Sequence, residues 1–183
     1  MNFPILSSLI LLPTIGSLFL FFSKDKPNNN QTIKYVALFT SIVNFLISIY
    51  LWYQFDPTTS DFQFVEDRQW IKGFINYKVG IDGISILFIV LTTFITPLCI
   101  LSVNNTVKNR LRDFLIAILI MESFMIGVFC ALDLVIFYLF FEAGLIPMFL
   151  IIVISGGPRR VYSAFNFFLY TLLVSVLMLV AII

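Results

Sequence analysis

The chain has 183 residues, of which 60% are hydrophobic and only 11% are charged, and its mean hydropathy is +1.03. Soluble domains carry about 25% charged residues, so the composition excludes that class and indicates a polytopic membrane protein. The net charge of +1 gives no reason to expect nucleic acid as a partner, and the absence of histidine excludes histidine-based catalysis and metal ligation.

Six apolar segments long enough to cross a bilayer follow one another along the chain. The predicted spans are residues 3–22, 33–54, 84–103, 114–132, 134–154 and 161–183. The predicted fold class is therefore an all-α polytopic membrane protein with six transmembrane helices. We expect three leading helices in residues 1–112, three further helices in residues 113–183, and no soluble domain.

The long hydrophilic segment at residues 55–81 separates the second span from the third. The stretch FQFV within it alternates in polarity, which favours a short strand of a hairpin on the membrane surface. Asp82 follows at the start of the third span. A helix cap is one interpretation of this acid, and a polar functional role is the other.

Lysine and arginine favour one side of the membrane. The first, third and fifth loops, with the residues flanking them, carry eight of these residues, and the long loop at 55–81 carries the other three. Basic residues are enriched on the inside, so the odd-numbered loops are predicted inside and both termini outside.

Glu142 is the one acid in the fifth span, Leu134–Ile154, and lies near its middle. An ionised carboxyl at that depth costs roughly 3 kcal/mol or more. Pro147 follows five residues later and leaves the carbonyl of Ala143 without its helical partner, which predicts a kink. Glu142 is therefore the leading candidate for a functional residue.

Glu122 lies at the centre of the fourth span, and Asp133 is predicted to make the turn to the fifth span alone. The two glutamates are 11 residues before and 9 residues after Asp133, which places both at about 14–17 Å from the same face. Each could be a protonated acid that holds helices together, or a proton-relay group. Apart from Lys34 at the very start of the second span, no lysine or arginine lies within a span, so a cationic partner for Glu142 at its depth is not in this chain.

Other polar and thiol groups in the spans have simpler interpretations. Tyr162, Asn166 and Tyr170 share one face of the sixth helix, where they predict interhelical hydrogen bonding or a hydrated path. Cys99 and Cys130 fall in apolar runs without a CxxC motif, so we expect packing thiols and no iron–sulfur or zinc site.

Four stretches together resemble the subunit 4 family of respiratory NADH:ubiquinone oxidoreductase (complex I). The most specific is FYLFFEAGLIPMFLIIVISGGPRRVYSAFNFFLYT, and the others are LWYQFDPTTSDFQFVE, VGIDGISILFIVLTTFITPLCIL and ALDLVIFYLFFE. The resemblance implies an antiporter-like membrane-arm subunit that takes part in proton translocation in the inner mitochondrial membrane, or in the plasma membrane of a bacterium. It matches the key acid of that family to Glu142, with Glu122 as a possible second relay acid.

The same resemblance implies which groups lie elsewhere. NADH, FMN, iron–sulfur clusters and ubiquinone would belong to other subunits, and this chain would hold no cofactor. The partners would be lipid, other membrane-arm subunits, and a separate chain or continuation supplying later helices, since family members are more than twice as long. Asn166 stands where many members have lysine.

Two alternatives to a proton-translocating subunit stay open on the residues. One is a subunit of a multisubunit cation/proton antiporter, whose members share this helix pattern. The other is a structural membrane piece that has no ion path and keeps its acids protonated.

Overall fold

A computed structural model describes residues 4–23, 30–59, 61–71, 75–103 and 110–182. Within them it contains six helices, all long and apolar enough to cross a membrane, which confirms the predicted fold class. The helices are α1 Ile5–Phe22, α2 Asn30–Gln54, α3 Ser85–Ser102, α4 Leu111–Cys130, α5 Leu134–Ser155 and α6 Arg160–Ile182. Residues 24–29 and 104–109, which include part of the basic loops, lie outside the described residues, and the orientation stays a prediction.

Helix α4 is the centre of the bundle. It packs against α1, α2, α3 and α5, and half of the residues in its spanning window are buried, compared with 17% in α5 and 11% in α6. Two apolar clusters surround it, one around Leu9, Ile89 and Ile126 and the other around Leu20 and Leu115. Helices α5 and α6 therefore form the least covered side of the chain.

The hydrophilic segment contains an antiparallel hairpin of β1, Gln63–Ile71, and β2, Ile75–Ile81. The hairpin prediction is confirmed, although β1 extends well past the FQFV stretch. Gly80 lies so close to the connection between α4 and α5 that a Cβ atom there would be 2.7 Å from Leu132 Cδ1. The hairpin is thus packed onto the end of the helical bundle.

The connection between α4 and α5 differs from the prediction. The sequence predicts that Asp133 alone makes this turn, but α4 ends at Cys130 and the three residues before Leu134 are non-helical. Ala131 forms a β-bridge with Val79, and the Leu132 N–H donates to the Lys78 carbonyl at 3.0 Å. The chain leaves the helix early because its backbone groups pair with β2.

Aspartates lie just before two of the helices and accept N–H groups of their first turns. Asp82 Oδ1 accepts the Ser85 N–H at 2.7 Å, which confirms the helix-cap interpretation and, as the largest cause, lowers the pKa of Asp82. Asp133 Oδ1 accepts the Val135 N–H at 2.8 Å at the start of α5. Each carboxylate satisfies an N–H that has no partner within its own helix.

Candidate functional site

The two spanning carboxyls lie at matching heights on adjacent antiparallel helices. Glu122 is eight residues before Cys130, the last residue of α4, and Glu142 is eight residues after Leu134, the first residue of α5. At about 1.5 Å per residue each lies about 12 Å from its helix end. Helices α4 and α5 approach closely between the two glutamates and the connection that joins the helices, since a Cβ atom on Gly127 would be 2.7 Å from the Phe140 ring.

Glu122 is a fully enclosed side chain, with 2% of its surface exposed. The Asn44 amide of α2, itself 0% exposed, donates to Glu122 Oε1 at 2.8 Å. Two further oxygens, Glu122 Oε2 and Asn44 Oδ1, are buried and have no hydrogen-bond partner among the described residues. This carboxyl therefore links α4 to α2.

A crevice of about 580 Å³ lies beside Glu122 between α3, α4 and α5. Two of its hydroxyls are engaged with backbone carbonyls: Thr92 donates to Phe88 at 2.7 Å and Thr96 donates to Thr92 at 3.0 Å. Most other described lining residues are apolar, including Met121, Met125 and Met148. The crevice therefore offers Glu122 no charged neighbour among the described residues that line it.

Glu142 has a different environment. It is half-buried, and Ser175 Oγ on α6 lies 2.8 Å from its Oε2 in donor geometry. The same hydroxyl lies 2.9 Å from the Leu172 carbonyl. A hydroxyl has one proton, so it can donate a hydrogen bond to the carboxylate, or donate to the Leu172 carbonyl while its oxygen accepts a hydrogen bond from a neutral Glu142. The Ser175 hydroxyl can therefore adjust to both protonation states of the acid.

The structure separates the two acids by their partners. Glu122 is bonded towards α2 and Glu142 towards α6, so they form two sites at one height. Sequence reasoning missed both partners, Asn44 and Ser175. The only signal for Asn44 is an amide in the middle of a predicted span, and Ser175 is four residues beyond Thr171 on α6.

The tyrosines of the polar stripe on α6 point away from the described helices. Tyr162 and Tyr170 are 67% and 73% exposed, whereas Asn166 is half-buried, and the interpretation of this stripe as an interhelical contact or a hydrated path stays a prediction. The face towards α5 instead includes the buried Ala164 and Ser175. The spacing of the stripe was correct, but spacing alone does not say which face a neighbour covers.

The thiols give a mixed result. Cys130 is buried in the apolar cluster next to α1, as expected of a packing thiol, whereas Cys99 is exposed and the packing interpretation is wrong for it. Among the described residues no three side chains of the Cys, Asp and Glu types cluster as metal ligands would. The described part of the chain thus offers no built metal site.

Comparisons with known proteins cover nearly all of the chain. The family described as NADH-ubiquinone oxidoreductase chain 4, amino terminus, matches residues 8–128, and the family described as NADH:quinone oxidoreductase/Mrp antiporter, TM, matches residues 131–183. Similar proteins include NADH-quinone oxidoreductase subunit M of Rhodobacter capsulatus, 59% identical over 85% of this chain. NADH-ubiquinone oxidoreductase chain 4 of Marchantia polymorpha is 48% identical over 97% of it. The chain spans 30% and 36% of the lengths of these two relatives.

Proposed function

Because the chain belongs to the NADH-ubiquinone oxidoreductase chain 4 family, we propose that it is part of a membrane-arm subunit of a proton-translocating NADH:quinone oxidoreductase. In this proposal the electron-transfer chemistry takes place on other subunits. The contribution of this chain is to hold protonatable groups inside the membrane.

The observation that carries this function is the environment of Glu142. The carboxyl is half-buried at the middle of α5, and its hydrogen-bond partner Ser175 can serve as donor or acceptor. A group that must gain and lose a proton needs a neighbour that accommodates both states. Glu142 is therefore the residue we assign to proton transfer, and Glu122 stays a candidate for a second step.

Charge balance requires a partner from outside these 183 residues. An ionised Glu142 in the membrane needs a cation nearby. The lysines and arginines within the six helices all lie near a helix start: Lys34 in α2, Arg112 in α4 and Arg160 in α6. We propose that the cation comes from the later part of a longer protein or from a second chain, packed on the weakly covered α5–α6 side. The neighbours would be other membrane-arm subunits and lipid.

The location follows from the same proposal. The spanning helices place the chain in a membrane. The relatives come from plants and a fungus as well as from bacteria. We propose the inner mitochondrial membrane, with a bacterial plasma membrane as the alternative.

A cation/proton antiporter is the second candidate. It is favoured by the match of residues 131–183 to a family that includes Mrp antiporters. Purification of the assembly that contains this chain separates the two candidates. Flavin and iron–sulfur subunits in that assembly support the oxidoreductase, and their absence supports the antiporter.

The test of the mechanism is Glu142→Gln in the assembled complex. Glutamine keeps the size of the side chain but cannot release a proton, so proton pumping and coupled turnover should fall to a small fraction of wild type. Glu122→Gln is the matched comparison, because it makes the same exchange at the same height in the neighbouring helix. Normal pumping by correctly assembled Glu142→Gln would remove Glu142 from the mechanism.

A further inference from the structure

Asn44 of α2 and Glu122 of α4 share one hydrogen bond, and each has one further side-chain oxygen without a hydrogen-bond partner among the described residues. The bond runs from Asn44 Nδ2 to Glu122 Oε1 at 2.8 Å. The leftover atoms, Asn44 Oδ1 and Glu122 Oε2, are buried and have no partner among the described residues. Buried polar atoms are almost always paired, so this coincidence within one bonded pair needs a physical explanation.

The nearby hydroxyl groups are already engaged. Ser48 is bonded to Thr93 at 2.7 Å, and Ser41 donates to the Leu38 carbonyl at 3.0 Å. Ser123, next to Glu122 in sequence, donates to the Ile10 carbonyl of α1. The described walls of the crevice beside Glu122 add no charged group. No donor for the two leftover oxygens comes from these neighbours.

A single proton explains both leftover oxygens. An ionised carboxylate only accepts hydrogen bonds, so the leftover oxygens would then be two acceptors without a donor. A proton on Oε2 turns this atom into a donor for Asn44 Oδ1. A neutral carboxylic acid and a primary amide each present a donor beside an acceptor, so they are complementary in two antiparallel hydrogen bonds.

We propose that Asn44 and Glu122 form an acid–amide pair that holds one proton inside the membrane, with Glu122 Oε2 donating to Asn44 Oδ1. The pair is a neutral clamp between α2 and α4. It requires no cation, in contrast to Glu142, and it does not depend on the function proposed for that residue.

Infrared spectroscopy of the assembled complex detects the proton directly. The difference spectrum of wild type minus Glu122→Gln should show a positive carbonyl band of a hydrogen-bonded carboxylic acid, and this band should shift in D₂O. In Asn44→Leu the same band should move towards the position of a free carboxylic acid. Carboxylate bands in that difference spectrum, or an acid band that Asn44→Leu leaves in place, would overturn the proposal.

A comparison of the single variants with the double variant tests the same pair even if one single variant folds poorly. Asn44→Leu and Glu122→Met each leave a buried polar partner unpaired, so each should lower the folded-to-unfolded ratio roughly tenfold. The double variant removes both partners and should recover most of that loss, whereas Glu122→Gln should assemble like wild type because an amide can make both bonds. Additive losses in the double variant would show that the two side chains are not a pair.

The outcomes are separable from those of the proposed function. Normal pumping by Glu142→Gln would remove the proposed role of that acid without affecting the carbonyl band of Glu122. A carboxylate at Glu122 would remove the acid–amide pair without affecting the pumping result for Glu142.

Discussion

Glu66 of β1 provides the cap that the first helix lacks. Pro4 precedes α1 and provides no side-chain cap. The Glu66 carboxylate instead accepts the N–H of Leu6 at 2.9 Å and that of Ser7 at 3.3 Å, and it also accepts the Ser7 hydroxyl. An acid 60 residues away thus satisfies donors that have no partner within their own helix.

The contribution of Glu66 to the free energy of unfolding can be worked out from these contacts. Loss of an N-cap acceptor costs about 1 kcal/mol, and loss of a negative charge at a helix N-terminus costs a further ~0.3–1 kcal/mol. Glu66→Ala should therefore lower the free energy of unfolding by about 1.3–2 kcal/mol, which is a change of roughly tenfold or more in the unfolding equilibrium. Glu66→Gln keeps one acceptor oxygen and should lose about half as much.

Equilibrium unfolding of the chain in mixed detergent micelles, followed by far-ultraviolet circular dichroism, measures this difference. Asp67→Asn is the matched control, because Asp67 is the next residue of β1 and is exposed, so its effect should stay within about 0.5 kcal/mol. Equal effects of Glu66→Ala and Asp67→Asn would refute the capping role. They would mean that only the net charge of the hairpin matters.

Three further predictions rest on other contacts. Ser175→Ala in the assembled complex should slow coupled turnover several-fold, because Glu142 loses its hydrogen-bond donor. Ser163→Ala, at an exposed position of the same helix, should leave turnover unchanged, and equal rates in the two variants would contradict the role of Ser175. Gly127→Ala should destabilise the bundle by about 1–3 kcal/mol, because its Cβ atom would be 2.7 Å from the Phe140 ring, and unchanged thermal stability would contradict that packing. The pKa of Asp82 is lowered by its bond to the first amide of α3, so its stabilising effect is present above its ordinary pKa and is lost as the pH falls through the lowered value; Asp82→Asn should remove that part of the pH dependence of unfolding.

The spans could be predicted from the sequence, because crossing a bilayer requires about 20 consecutive apolar residues and this requirement is local. The bounds of α5 were predicted to within one residue, and Glu142 was identified because a single acid in an apolar segment is costly wherever its helix packs. The matching heights of Glu122 and Glu142 also needed only the helical rise and a short turn.

Which side chains meet across the bundle could not be predicted from the sequence. Asn44 and Glu122 are 78 residues apart, and Glu66 and Leu6 are 60 apart, so no periodicity links them. For α6, the regular spacing of Tyr162 and Tyr170 identified a face but not its neighbour, because helical symmetry fixes only relative directions around one axis. Partners are set by how helices pack, and that depends on the whole bundle.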